Sequence, residues 1–599
     1  MPSSSGAIAA GGPTFAIIHA KTGASRMTLA IPAARQNLMQ HARTARRFVL
    51  IALTLLSACA ASDPSKGDDW GRGADGGLGN YLAGRFAMSE GDTKTAANDL
   101  LKAVGELPPA PELTLEAFLA CVNANRPEAV TLARQLPDNQ IAQLVLADAD
   151  IAAGRWQDAE TRFRAMPRQG MSQLLQPLLV AWTEQGDGRT DTALSTLRPY
   201  VENPRFRALF ALEAAMIADL GNRPEEAAGL YRGVEADMAN PSLRVAQILA
   251  SWQARTHQAA EAEHTLVTLE SAAPELGIAM PALLANVTKR PVPGAADGIA
   301  EAYFTFAALL RSQDANDFSL IMIRLALDLR PDFAAARLLA AEILGNDHHP
   351  RAAYQILTEV PASDPIAPVV RLRRAALVDL LGHPDEAMRD LERMAHDYPN
   401  SPLPDERRGD ILRETHRFTD AVAAYDEGIA RISNAADSAN WILYYDRGVA
   451  EEQSHQWPLA KADFQHALQL SPDQPFVLNY LGYSLADMGT DLDQARQMVQ
   501  LAAARRPNDG AITDSLGWVL FRQGHTKEAV NTLERAVELE PEDSTINAHL
   551  GDAYFAAGRK IEAQYQWRRA LTLNPTPEDA VSLEAKLNTG HPGAVLSGQ

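Results

Sequence analysis

The sequence predicts an all-α fold, built as an open-ended array of two-helix repeats. The chain has 599 residues, about four times the size of a usual single domain. Aromatic residues make up only 6% of it, and no run of alternating β-branched residues suggests a sheet. Glycine and proline recur in the last third at spacings of 34 or 35 residues, a period typical of solenoids.

The periodicity is clearest in the repeats 441–474, 475–509, 510–543 and 544–577. One glycine, two alanines and one proline mark each repeat: Gly448, Gly482, Gly517 and Gly551; Ala460, Ala495, Ala529 and Ala563; Ala467, Ala502, Ala536 and Ala570; Pro472, Pro507, Pro541 and Pro575. Small residues let two helices cross closely, and proline ends the second helix because it lacks the amide donor. A large residue before the second alanine, as at Phe464, Leu533 and Trp567, fills the gap to the next repeat.

This pattern resembles the tetratricopeptide repeat. The resemblance implies a right-handed superhelical solenoid of about ten to twelve helix-turn-helix repeats, with the first helix of each repeat lining an inner groove. Weaker units precede the regular ones, marked by alanines at 96, 129, 159, 193, 227 and 262, and then at 307, 341 and 375 and by Gly409.

Breaks in the period indicate the domain organisation. Divergent repeats are expected over 77–280, and regular ones over 299–577. The segment 281–298 between them contains three prolines and two glycines, which predicts a joint. An amphipathic segment at 578–588 is suited to capping the open end of the stack, and a disordered tail is expected at 589–599.

The sequence predicts an export signal over residues 1–58, with Met27 and Met39 as alternative translation starts. Three arginines precede an apolar run, 48–58, that is too short to span a bilayer. The run ends in Leu-Ser-Ala before Cys59, which resembles a bacterial lipobox and implies acylation of Cys59. Two alternatives stay open: an ordinary secretory signal that happens to end near Cys59, or an uncleaved anchor.

Residues 59–76 are rich in Gly, Asp and Ser and predict a flexible, lipidated linker. Gly71, Gly73 and Gly76 have the spacing of a dinucleotide fingerprint, but no strand precedes them and no βαβ unit is visible. The residue after Cys59 is Ala60 and not Asp, which resembles lipoproteins that are sent to the outer membrane. We therefore expect a lipid-anchored protein of the cell envelope that faces the periplasm.

The net charge of the chain limits the classes of molecule that we expect it to bind. The formal net charge is −20, and the first 58 residues contribute six Lys or Arg with no Asp or Glu, so the remainder carries −20 − 6 = −26. An acidic body repels phosphate backbones and excludes nucleic acid as an expected partner. The acidity favours basic protein surfaces, or it serves only to keep a long solenoid soluble.

A protein-binding groove is predicted on the first helices of the last repeats. Its candidate residues mix aromatic and polar side chains: Asn479, Tyr483, Asp514, Trp518, Phe521, His549 and Asp552. Aromatic side chains supply anchors, and polar ones pair with an extended backbone. The alternative is that Trp518 and Phe521 pack between repeats.

The sequence predicts no catalysis, cofactor or metal. It contains no metalloprotease helix motif, Walker loop, nucleophile elbow or spaced Cys/His cluster. The adjacent pair His348 and His349 lies in a polar turn before Pro350, and a solvated turn explains it better than a metal site.

Three segments, 478–495, 513–524 and 546–571, resemble a group of proteobacterial repeat lipoproteins. Some of these are outer-membrane adaptors that bind a periplasmic carboxyl-terminal processing protease and deliver cell-wall hydrolases to it. The resemblance implies a non-catalytic scaffold. The alternatives are an assembly factor for a pilus, secretin or polysaccharide-export complex, and an enzyme with appended repeats, for which the repeats leave no room.

Overall fold

The structure is a computed structural model, and it describes residues 71–170, 172–237, 242–434 and 437–589. Within those ranges the chain is helical and contains no strand. The predicted all-α fold class is therefore confirmed. The signal, Cys59, residues 60–70 of the predicted linker and residues 590–599 lie outside the described ranges.

Eighteen α-helices precede residue 384. They are α1 (Gly71–Ser89), α2 (Thr93–Glu106), α3 (Pro111–Asn123), α4 (Glu128–Ala133), α5 (Gln140–Ala152), α6 (Trp156–Ala165), α7 (Ser172–Gly186), α8 (Thr190–Val201), α9 (Arg207–Leu220), α10 (Pro224–Asp237), α11 (Leu243–Arg255), α12 (Ala259–Ala272), α13 (Met280–Asn286), α14 (Ala295–Arg311), α15 (Asn316–Leu329), α16 (Ala334–Asn346), α17 (Pro350–Thr358) and α18 (Ala367–Leu380). A 3-10 helix, Pro274–Ala279, lies between α12 and α13.

Twelve α-helices follow. They are α19 (Pro384–Asp397), α20 (Leu403–Glu414), α21 (Phe418–Ile429), α22 (Trp441–Gln453), α23 (Trp457–Leu470), α24 (Pro475–Asp487), α25 (Leu492–Arg505), α26 (Gly510–Arg522), α27 (Thr526–Leu539), α28 (Ser544–Ala556), α29 (Lys560–Thr572) and α30 (Pro577–Thr589). A short 3-10 helix, Ser438–Asn440, precedes α22.

The described helices pair into fourteen antiparallel hairpins, from α1–α2 to α28–α29, with α13 unpaired and α30 following the last hairpin. Each unit that a small residue marked in the sequence corresponds to one hairpin. The count exceeds the ten to twelve predicted because even the divergent front units are complete.

Contacts divide the chain into two compact units, residues 1–393 and 394–599, with the division inside α19. The predicted joint at 281–298 lies within the first unit and includes most of α13 and the start of α14. The helix α1 begins at Gly71, inside the predicted linker of 59–76. The helix α30 covers the predicted capping segment 578–588.

At least one left-handed residue lies in the turn of every hairpin. Glycine provides seven of these residues, at 91, 154, 188, 382, 489, 524 and 558, and Asn, Asp or His provides the others, at 125, 222, 257, 314, 348, 416, 455 and 491. These residue types tolerate positive φ best. His348, with φ 63°, is therefore a turn residue, which explains the histidine pair structurally.

A glycine on the first helix faces a large side chain on the second. A Cβ on Gly551 would lie 2.5 Å from the Trp567 indole, and one on Gly517 would lie 2.5 Å from Leu533. Trp567 and Leu533 are fully buried, so neither can move aside easily. The glycines of the repeat pattern are there because the helices cross closely.

We expect Gly551→Ala to lower the free energy of unfolding of the second unit by about 1–3 kcal/mol, because the added methyl overpacks the contact with Trp567. Alanine normally favours a helix over glycine by about 0.5–1 kcal/mol. The control, Gly229→Ala in α10, where a Cβ meets nothing within 4 Å, is expected to stabilise. Urea unfolding followed by circular dichroism measures both, and stabilisation by Gly551→Ala would contradict the prediction.

Candidate functional site

The first helices of consecutive repeats lie side by side in the second unit and form what we call the inner wall. The helix α24 packs on α26, and α26 packs on α28. The rings of Tyr445 on α22 and Tyr480 on α24 meet edge to face, with centroids 5.9 Å apart. The wall therefore runs continuously from α22 to α28.

Four predicted groove residues form a single aromatic cluster on this wall. The indole of Trp518 stacks on the imidazole of His549, with centroids 4.1 Å apart, and on Phe521 at 5.1 Å. Tyr483 lies against the other side of the cluster, 6.2 Å from His549. Three helices, α24, α26 and α28, contribute these side chains. Tyr483, Trp518 and Phe521 remain half-buried and His549 is buried, so the cluster keeps some surface open to a ligand.

An ion pair underlies the cluster. Nδ1 of His549 lies 2.9 Å from one carboxylate oxygen of Asp514 and 3.1 Å from the other, and both residues are buried. Burial by itself lowers the pKa of His549. The carboxylates of Asp514 and Asp552 outweigh burial, against opposition from Lys586, so the pKa is raised from its ordinary value of 6.5. The carboxylate of Asp514 therefore favours the protonated form of the His549 imidazole in the cluster.

The raised pKa predicts a pH dependence. The folded pKa of His549 exceeds the unfolded one, so the stabilisation is complete below about pH 6.5 and is lost as pH rises through the folded pKa. We expect the His549 ring to titrate above pH 6.5 in NMR spectra of chain labelled at histidine. In Asp514→Asn the midpoint should fall, because the opposing burial then dominates. An unchanged midpoint in Asp514→Asn would show that Asp514 does not hold the proton.

Two polar atoms near the cluster have no hydrogen-bond partner among the described residues. They are Nε1 of Trp518 and Oδ1 of Asn479, and both atoms are buried. An unpaired buried polar atom costs about 1–3 kcal/mol. Because both atoms are closed to solvent, neither is open to a ligand in this conformation.

The last predicted groove residue has a structural role. The carboxylate of Asp552 accepts a hydrogen bond from Nε1 of Trp567 at 2.9 Å and one from Nζ of Lys586 at 2.8 Å. Lys586 lies on α30, so this contact fixes the last helix to the wall. Asp552 contributes charge beneath the cluster but has neither oxygen free for a ligand.

The structure thus brings together six of the seven predicted residues at or beside one cluster, and places Asp552 beneath it. Trp518 does pack between repeats, as the alternative proposed, and is also half-buried at the wall. The pair formed by Lys586 and Asp552 was not predicted. The amphipathic pattern of 578–588 was a signal for a cap but not for this contact.

In the first unit the equivalent wall is covered by the chain itself. The helix α14 packs on α7 and α9, and α15 packs on α3 and α5. All four partners are first helices of front repeats. The α14–α15 hairpin therefore occupies the surface where a groove ligand would bind.

Polar contacts fix α14 in that position. The buried hydroxyl of Tyr303 donates to Asp148 on α5, with 2.9 Å between the oxygens. Burial raises the pKa of Asp148 well above its ordinary value, although the hydrogen bond from Tyr303 lowers it. Arg244 on α11 and Glu301 form a buried ion pair. Buried groups paired in this way would be costly to expose, so the wall of the first unit is closed.

Nothing in the repeat pattern predicted this closure. Tyr303 and Asp148 are 155 residues apart, and neither belongs to the glycine, alanine and proline pattern. One of the two glycines in the predicted joint, Gly298, was a sequence signal for a close contact, because a Cβ there would overlap the buried ring of Trp182.

Within the described ranges no group of three or more His, Cys, Asp or Glu side chains could hold a metal ion. The described cysteine, Cys121, is buried, and burial raises the pKa of its thiol to about 11. No helix among the described residues is sufficiently long and apolar to cross a membrane.

Two segments match known repeat families. Residues 296–443 match a tetratricopeptide repeat-like domain, and residues 515–576 match the tetratricopeptide repeat. The second segment contains Trp518, Phe521, His549 and Asp552. These two segments are therefore tetratricopeptide-like, and the fourteen hairpins show a solenoid of two-helix repeats over the described residues. Proteins built from such repeats act as protein-interaction scaffolds and are typically non-catalytic.

Individual relatives resemble parts of the chain. A TPR repeat-containing protein of Pseudomonas aeruginosa is 27% identical over 169 residues, which are 28% of each chain. Bacteriophage adsorption protein A of Escherichia coli K12 is 36% identical over 91 residues, 15% of this chain and 9% of that protein. The chain thus spans less than a third of the length of either relative. The Cut9 and Hcn1 complex of the anaphase-promoting complex matches over 86% of this chain at 15% identity, with a TM-score of 0.37.

Proposed function

We propose that this protein is a lipid-tethered scaffold on the periplasmic face of the cell envelope, and that it binds client segments on the inner wall of its second unit. The observation that carries the proposal is that the inner walls of the two units differ in how far other helices cover them. In the first unit the α14–α15 hairpin covers the wall. Among the described residues of the second unit, no helix beyond neighbouring repeats packs extensively on it.

The cluster of Tyr483, Trp518, Phe521 and His549 has the chemistry of an anchor pocket. Aromatic side chains dominate binding energy at protein interfaces, and a few centrally placed residues carry most of it. An extended peptide with an apolar side chain seated on Trp518 fits this arrangement.

Charge favours a basic client. Residues 394–589 include 30 Asp or Glu and 18 Lys or Arg, which gives 18 − 30 = −12. Burial raises the pKa of the Tyr483 hydroxyl beside the cluster, and the carboxylates of Asp487, Asp514 and Asp579 raise it further. A negative field of this kind accelerates association with a positively charged partner and disfavours acidic ones.

We propose an adaptor role for this scaffold, in which the wall recruits a periplasmic carboxyl-terminal processing protease and its cell-wall hydrolase clients. The support is the resemblance of 478–495, 513–524 and 546–571 to lipoproteins with that role, since these segments include most of α24, α26 and α28. Acylation of Cys59 would keep the scaffold at the outer membrane, because two acyl chains give stable attachment.

The test is a pull-down of the intact chain from membranes with mass spectrometry, beside a Cys59→Ala variant. We expect a processing protease or a cell-wall hydrolase to be recovered with the membrane-bound chain, and the variant to move to the soluble fraction. Recovery of pilus, secretin or export components would refute the adaptor role and support the assembly-factor alternative. A variant that stays in the membrane would refute lipidation as the tether.

A further inference from the structure

The first helix of the fold exposes a line of large apolar side chains. Leu78, Leu82 and Phe86 follow each other at intervals of four residues on α1, and they are 53%, 60% and 67% exposed. We call these three residues the α1 stripe. Residues four apart lie on the same face of a helix, so the stripe is a continuous apolar strip.

The opposite face of α1 packs against the rest of the first repeat. Gly77, Gly84 and Ala87 are buried, and a Cβ on Gly84 would lie 2.7 Å from Leu100 on α2. Tyr81 donates to Glu116 on α3 at 3.2 Å. The α1 stripe therefore lies mostly outside the packed core of the first repeat. Terminal repeats of solenoids normally present a polar outer face, so an apolar outer face indicates that another surface covers it.

Charge on this helix suits a lipid surface. Between residues 76 and 89 there is no acidic side chain and one basic side chain, Arg85. Arg85 lies 3.8 Å from the carboxylate of Glu116 on α3, so α1 is close to neutral on a chain whose net charge is −20. Bacterial envelope membranes contain anionic lipids, which repel acidic surfaces and tolerate this one.

The chain length places α1 beside the membrane. Eleven residues, 60–70, separate Cys59 from the start of α1, and they can span at most about 40 Å in any conformation. A helix of 19 residues is itself about 28 Å long. A lipid on Cys59 therefore keeps α1 at high effective concentration near the bilayer, where a short apolar stripe suffices for binding.

We propose that Leu78, Leu82 and Phe86 insert into the membrane surface beside the lipid anchor, so that α1 lies along the bilayer. The proposal rests on the tether of the proposed function and adds a second membrane contact to it. One contact is covalent lipid and the other is a helix face, and together they would hold the first repeat at the bilayer surface.

The test places a fluorescent label in the stripe of the full-length chain. Leu82→Cys is labelled with an environment-sensitive nitrobenzoxadiazole dye, and the protein is reconstituted in vesicles of phosphatidylethanolamine and phosphatidylglycerol. Cys121 is 0% exposed and does not compete for label. We expect brominated lipids to quench this label severalfold more than the same dye at Leu459→Cys, a residue 53% exposed on α23. Adding Leu78→Gln and Phe86→Gln should abolish the difference.

The results of this experiment distinguish failure of the α1 stripe proposal from failure of the proposed lipid tether. A chain that floats with the vesicles while bromolipids quench both positions equally, or neither, leaves the tether intact and overturns the stripe. Protection of position 82 from aqueous iodide without lipid quenching also overturns it, since a protein partner or second copy then covers α1. A chain that does not float at all overturns the tether and, with it, the membrane role of the stripe.

Discussion

Trp182→Ala is expected to lower the free energy of unfolding of the first unit by about 3–5 kcal/mol. Trp182 is 0% exposed, and its ring lies against Gly298 on α14. Its Nε1 donates to Glu213 at 2.8 Å. Burial raises the pKa of Glu213 to about 8 although the bond from Trp182 lowers it, so the substitution leaves a cavity and also a buried carboxyl without its donor.

Hydrogen exchange with mass spectrometry measures this effect at the relevant helices. Amides of both α7 and α14 should lose protection in Trp182→Ala, because the closed wall depends on their contact. Phe318→Ala is the matched control, since Phe318 lies on α15 but is 57% exposed. Loss of protection in α7 alone would show that α14 is held independently of Trp182 and would contradict our account of the closed wall.

Trp518→Ala is expected to reduce client capture by the second unit roughly 30-fold, corresponding to ~2 kcal/mol for a central aromatic anchor. Trp518 stacks on both His549 and Phe521, so its removal breaks the ring contacts that join these two residues in the cluster. The measurement is the amount of processing protease or hydrolase recovered with the intact chain from membranes, relative to wild type.

The control for this loss is an aromatic residue on another face of the same unit. Tyr565 on α29 is 67% exposed, and Tyr565→Ala should leave recovery unchanged. Circular dichroism melting checks that Trp518→Ala stays folded at the assay temperature. Equal recovery with folded Trp518→Ala would mean that clients bind elsewhere on the chain.

The candidate site was largely predictable because its contacts follow the repeat. Asp514 and His549 are 35 residues apart, one repeat along the chain, and Tyr483 lies one repeat before Trp518. A periodic stack brings residues at one-repeat spacing next to each other whatever its curvature. The sequence did not predict that Trp567 and Lys586 would both donate hydrogen bonds to the carboxylate of Asp552. Lys586 lies on the cap helix α30, and the repeat period does not fix the position of that helix.

By itself the sequence determined the helical hairpin, its small residues at the helix crossing and its turn chemistry, because these are local and recur every 34 or so residues. Only the tertiary structure decided that one wall is closed and the other open. Tyr303 reaches Asp148 across 155 residues, and Trp182 contacts Gly298 across 298 − 182 = 116 residues. Such contacts depend on curvature accumulated over several hairpins, which no single repeat encodes.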